Sequence, residues 1–61
     1  MLEEYPPIMS VEEVCEVLRM GYNAIYDLLN SGELKAFRNG RCWRIPRLAV
    51  EEYIRESAKL K

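Results

Sequence analysis

The sequence predicts an α+β domain in the order helix, helix, two-stranded hairpin, helix. Three observations carry that reading. Ser10-Val11-Glu12-Glu13 is a capping-box pattern at the head of a helical apolar stripe. Gly32 follows a second helical stripe at the position where a left-handed residue ends a helix. Asn39-Gly40 lies between two short runs of strand-forming and basic residues, a strong short-range hairpin signal.

Each element follows in order. Residues 1–9 contain Pro6-Pro7 and are expected to form an extended N-terminal segment ahead of the folded unit. Ser10 opens the first helix, with Met9 and Val14 at the staple positions around the cap. Glu12 and Glu13 suit the positive end of the helix dipole. Val11, Val14, Cys15 and Leu18 fall at i, i+3, i+4 and i+7, which makes Cys15 a small core residue rather than a reactive thiol. The first helix ends near Arg19-Met20, and Gly21 breaks it and serves as a weak N-cap for the next. The second helix spans Tyr22 to Ser31 with Ile25, Leu28 and Leu29 on one face. Two short helices joined by a tight turn outline a helix-turn-helix.

For the hairpin, a two-residue loop at Asn39-Gly40 sets Arg38 opposite Arg41, Phe37 opposite Cys42, Ala36 opposite Trp43, Lys35 opposite Arg44 and Leu34 opposite Ile45. In that register two arginines face each other, an arrangement that destabilises a sheet and that a polyanion relieves. Trp43 is expected to pack on the apolar base of the hairpin, with base stacking as the alternative. Pro46 stops the second strand and suits the start of a third helix over residues 47–57, where Ala49, Val50, Tyr53 and Ile54 keep helical spacing. Glu51, Glu52 and Glu56 read as its solvated face, and residues 58–61 as a frayed tail. Residues 10–57 are thus the expected domain.

Composition bounds the function. The chain has 61 residues, room for one small and marginally stable domain. It has no histidine, which excludes Ser-His-Asp and Cys-His catalysis and His-ligated metal sites. Cys15 and Cys42 form neither a zinc pattern nor a disulfide framework, so free thiols, a reducing cytoplasm, no metal and no cofactor are expected. The longest hydrophobic runs, Ala24-Ile25-Tyr26 and Leu48-Ala49-Val50, are far too short to span a membrane, and Met1-Leu2-Glu3-Glu4 lacks the basic start of a signal peptide. No enzymatic activity is expected.

The net charge of −1 argues against a nucleic-acid partner until the charges are placed along the chain. Residues 1–33 carry a net of −6, residues 34–50 carry +5 with no acid, and residues 51–61 balance. The +5 segment holds Lys35, Arg38, Arg41, Arg44 and Arg47. A local basic stripe is a binding footprint whatever the total charge, with a solvated face as the plainer alternative.

The run Met9-Ser10-Val11-Glu12-Glu13-Val14, with Ile25-Tyr26, Leu28-Leu29, Ser31-Gly32-Glu33-Leu34-Lys35-Ala36-Phe37-Arg38, Gly40-Arg41 and Trp43-Arg44-Ile45-Pro46-Arg47, resembles the excisionase-type DNA-binding domains, which are small MerR-like winged helices. The resemblance covers residues 8–57. It implies a winged helix-turn-helix that binds double-stranded DNA, with the second helix in the major groove and the wing against the adjacent minor groove or backbone. On that pattern the second helix presents Tyr22, Asn23, Tyr26, Asp27 and Asn30, and the wing presents Lys35, Arg38, Asn39, Arg41 and Arg44, with Arg47 near the backbone. Asn23 and Asn30 suit adenine and Asp27 suits cytosine N4. For Tyr26, packing on the core is an equal alternative. The second helix carries no base, whereas family members often place Ser, Thr and Arg where this chain has Gly21, Ala24, Asp27 and Asn30. The implied role is a recombination directionality factor of a phage or transposon that bends DNA in the nucleoid and assists an integrase, with neighbouring copies as further partners. A small transcription regulator is the alternative within the class. A protein-interaction module using the acidic first half is the alternative outside it.

Overall fold

The computed structural model describes residues 2–58. Among these residues six elements follow one another: β1 (Ile8–Met9), α1 (Val11–Leu18), α2 (Tyr22–Ser31), β2 (Phe37–Asn39), β3 (Cys42–Pro46) and α3 (Arg47–Ala58). The strands form one antiparallel sheet in the order β1-β3-β2. This is the expected α+β winged helix-turn-helix with one strand added. Of the expected tail 58–61, Ala58 closes α3 and residues 59–61 lie outside the described residues.

Helix α1 begins as its sequence dictates. The Glu13 N–H donates to Ser10 Oγ at 3.2 Å, and the Ser10 N–H donates back to Glu13 Oε1 at 3.0 Å. Two otherwise unpaired donors are satisfied by side chains three residues apart. At the other end Arg19 adopts the left-handed conformation (φ 55°, ψ 44°), so α1 stops there, two residues ahead of Gly21. Gly21 caps α2 without a side-chain hydrogen bond, and Gly32 ends it at φ 85°.

The core is formed by Leu2, Met9, Val11, Val14, Ile25, Leu28, Leu29, Leu34, Ile45 and Val50. It draws on every helix and on both β1 and β3. Cys15 and Trp43 are half-buried against it, as expected for both. Leu34 is buried too, but in the connection before β2 rather than in the strand opposite Ile45.

The N-terminal segment departs from a simple lead-in. Ile8 pairs with Pro46 and Met9 with Ile45, so the segment supplies the third strand. Leu2 joins the core, and its N–H donates to Glu51 Oε2 at 3.3 Å. Glu51 is therefore half-buried and engaged, while Glu52 and Glu56 are exposed as expected.

The hairpin register also differs. The pairs are Phe37–Arg44, Arg38–Trp43 and Asn39–Cys42, which makes Gly40-Arg41 the two-residue loop. Arg38 and Arg41 are not opposed, and the like-charge repulsion inferred from sequence is absent. The reason lies in the turn. A type I′ loop at Asn39-Gly40 requires positive φ at both residues. Here Gly40 alone is positive (φ 69°), which suits the first position of a Gly-X loop. Each β2 residue's partner moves by two, an even shift, so every strand residue keeps the face expected of it.

Candidate nucleic-acid interface

The first turn of α1, the N-terminal half of α2 and the start of β3 enclose an open groove of about 340 Å³. Its walls are Ser10, Val11 and Glu12 from α1 and its cap, Tyr22 and Tyr26 from α2, and Arg41, Cys42, Trp43 and Arg44 from the wing. The i, i+4 spacing stacks the Tyr22 and Tyr26 rings, with centroids 6.4 Å apart and planes 24° from parallel. Both rings are substantially exposed, at 50% and 40%, which resolves Tyr26 toward the surface. Partial burial raises the Tyr22 phenol above its ordinary value, and the Glu12 carboxylate adds to the effect. Tyr22 therefore stays a neutral donor at physiological pH.

The other expected residues separate into groups. Asn23, Asp27 and Asn30 are exposed along α2 at i, i+4 and i+7, a polar stripe that does not line the groove. Arg38 and Asn39 are exposed on β2. The Arg38 guanidinium carbon lies 5.3 Å from the Trp43 ring centroid, within cation–π range. Lys35 is exposed but stands apart, in a second cleft of about 500 Å³ with Glu33, Glu52 and Glu56.

Arg47 has a different job in the fold. Its Nη1 donates to the Tyr5 carbonyl at 2.7 Å, and its backbone N–H donates to the Pro7 carbonyl at 2.8 Å. It clasps the N-terminal segment to the start of α3. Tyr5 is fixed again at its other end, where its hydroxyl donates to Glu16 at 2.9 Å. That hydrogen bond is the main reason its phenol sits above the ordinary value.

Sequence reasoning does not find Ser10, Val11, Glu12 and Cys42 as groove residues. In sequence the first turn of α1 shows its cap, its dipole-facing acids and the start of its apolar stripe, although a tight helix-turn-helix brings that turn beside the N-terminus of α2. Burial raises the Cys15 thiol and keeps it protonated, while Cys42 is exposed. Among the described residues no group of three or more His, Cys, Asp or Glu side chains is placed to hold a metal ion, and no helix is long and apolar enough to cross a membrane.

A family model described as a helix-turn-helix domain matches residues 8–58. The chain is similar to a protein of Saccharopolyspora erythraea named "Probable excisionase", with 41% identity over 46 residues that cover 75% of this chain and 47% of that protein. The chain thus spans about half the length of that curated relative. No solved structure matches it.

Proposed function

The chain belongs to the helix-turn-helix domain family, and from that premise we propose that it binds double-stranded DNA as an excisionase-like recombination directionality factor. One observation carries the reading. The groove joins the aromatic N-terminal half of α2 to Arg41 and Arg44 of the wing, so one continuous surface presents stacking rings beside two cations. That chemistry suits phosphates flanking a base step.

In this reading α2 enters the major groove. Asn23 and Asn30 pair with adenine, Asp27 accepts from cytosine N4, and Tyr22 donates from its neutral hydroxyl. Arg38, Arg41 and Arg44 contact phosphates and fix the register without reading sequence. Arg47 acts through the fold, by holding the N-terminal segment. Lys35 contributes least, because the carboxylates of its cleft offset its charge.

A recognition helix without a base makes the wing the main source of electrostatic affinity. One copy then binds modestly, and adjacent copies or an integrase supply the remainder. The similarity to a protein named as a probable excisionase favours this role, in which the bound protein bends DNA within the nucleoid and assists the recombinase.

Titration of a duplex over a range of salt tests the DNA contact. Each phosphate neutralised by a cation accounts for about 0.9 of the log–log salt slope. Replacing Arg38 and Arg41 together by Gln is therefore expected to flatten that slope by about 1.8. Equal affinity of wild type and double variant at every salt concentration overturns the wing assignment.

A further inference from the structure

We propose that Trp43 is a positioning residue for DNA binding: its ring carries the Arg38 guanidinium and holds it in the pose that meets phosphate. The inference rests on the reading of the wing as a DNA contact and adds to it how one wing cation is aimed.

The register is the starting point. Because Gly40-Arg41 forms the loop, Arg38 and Trp43 are directly opposed across β2 and β3, on the same face of the ribbon. The guanidinium carbon sits 5.3 Å from the ring centroid. Trp43 is itself anchored, since it is half-buried against the core and also lines the groove. Arg38 is exposed, and among the described residues no hydrogen bond or ion pair engages its side chain beyond this stack. Arg47 shows the contrast, being committed to a backbone carbonyl.

An exposed arginine carries large rotamer entropy, and ordering it on a phosphate opposes binding. A guanidinium held over a ring by cation–π attraction makes no hydrogen bond to an acceptor there, so the contact restricts the side chain and leaves its N–H donors for phosphate. Trp is also the ring with the strongest cation–π attraction. The stack therefore supplies in advance the ordering that Arg41 and Arg44 have to undergo on binding.

The test uses the full chain, a short random-sequence duplex as probe, and the fact that Trp43 is the only tryptophan. In the free protein, Arg38→Ala is expected to raise acrylamide quenching of Trp43 fluorescence, because the guanidinium no longer covers the ring. Unchanged quenching overturns the stack.

In binding, Trp43→Leu is expected to weaken affinity about two- to fivefold, the range of a cation–π interaction at an exposed site. The salt slope should stay the same, because no charge is removed. Arg38→Ala is expected to lower the slope by about 0.9. In the Arg38→Ala background, Trp43→Leu should cost nothing further. Additive effects in that cycle, or full affinity in Trp43→Leu, overturn the positioning role. Trp43→Phe keeps an aromatic ring in the core and should fall between wild type and Leu, which covers the case in which the Leu variant fails to fold. If Arg38→Ala itself leaves DNA affinity unchanged, the wing reading fails rather than the stack.

Discussion

Arg19 ends α1 in a conformation that its own Cβ disfavours. Left-handed backbone costs an L-residue other than glycine roughly 1–2 kcal/mol, yet here φ is 55° and ψ 44°. The connection to α2 leaves no room for a longer exit, because only Met20 and Gly21 separate Arg19 from Tyr22. Arg19 is exposed, so its side chain contributes little packing in return. Arg19→Gly is therefore expected to stabilise the domain by up to about 1 kcal/mol, the relieved strain less the extra chain entropy of glycine. A thermal melt reads this as a rise of several degrees, since about 1 kcal/mol moves a domain of this size by roughly 4–8 °C. An unchanged or lowered midpoint refutes the strain. The same scale shows which roles a sequence exposes. The Ser10–Glu13 cap is legible because both partners lie within one helical turn. The role of Arg47 is not, because its acceptor, the Tyr5 carbonyl, is 42 positions away and a backbone carbonyl leaves no mark in composition.

At the scale of elements, periodicity and capping locate all three helices to within a residue or two, and they place the apolar faces correctly. What sequence does not settle is pairing. The strand β1 is two residues long and carries no alternation to read, so only its partner β3 makes it a strand. The hairpin shows the same limit in a different form. Asn39-Gly40-Arg41 contains two possible two-residue loops, and both give the strand residues the same faces. Local pattern therefore reports the faces and stays silent on the partners. The choice rests on Gly40, whose positive φ of 69° sets the loop. No atom lies within 4 Å of where its Cβ would stand, so a side chain there meets conformational strain and no clash. Gly40→Ala is expected to cost at least about 1 kcal/mol. It should also weaken DNA binding, because the loop sets Arg38 over Trp43 and holds Arg41 at the groove. Denaturant melts and duplex titration of the same variant check both effects. A stable variant with wild-type affinity would show that the turn does not organise the wing.

For the whole molecule, a net charge of −1 describes nothing that the surface does. The fold gathers Arg41 and Arg44 at one groove, stacks Arg38 on the wing and commits Arg47 to the N-terminal segment. That segment matters more than its position suggests. It is bonded to α1 through Tyr5 and Glu16, to α3 through Leu2 and Glu51 and through Arg47, and to β3 through the strand pair. It also buries Leu2 and Met9, exposed by only 8% and 1%. Each such side chain contributes roughly 1.5–3 kcal/mol on burial. Native domains as a class hold about 5–15 kcal/mol in all, and one this small sits toward the low end. Removing residues 1–9 is thus expected to take away most of the folding free energy, so that a chain starting at Ser10 fails to melt cooperatively. A chain starting at Ile8 keeps the strand and Met9 but lacks Leu2 and the Arg47–Tyr5 clasp, and it should still melt cooperatively, at a lower temperature than the full chain. Circular dichroism melts of the three lengths decide the point. Equal midpoints would mean that the domain begins at the cap and that the segment only decorates it. A graded decrease would mean that the segment holds α3 and β3 in register, and through β3 the wing residues that face the groove.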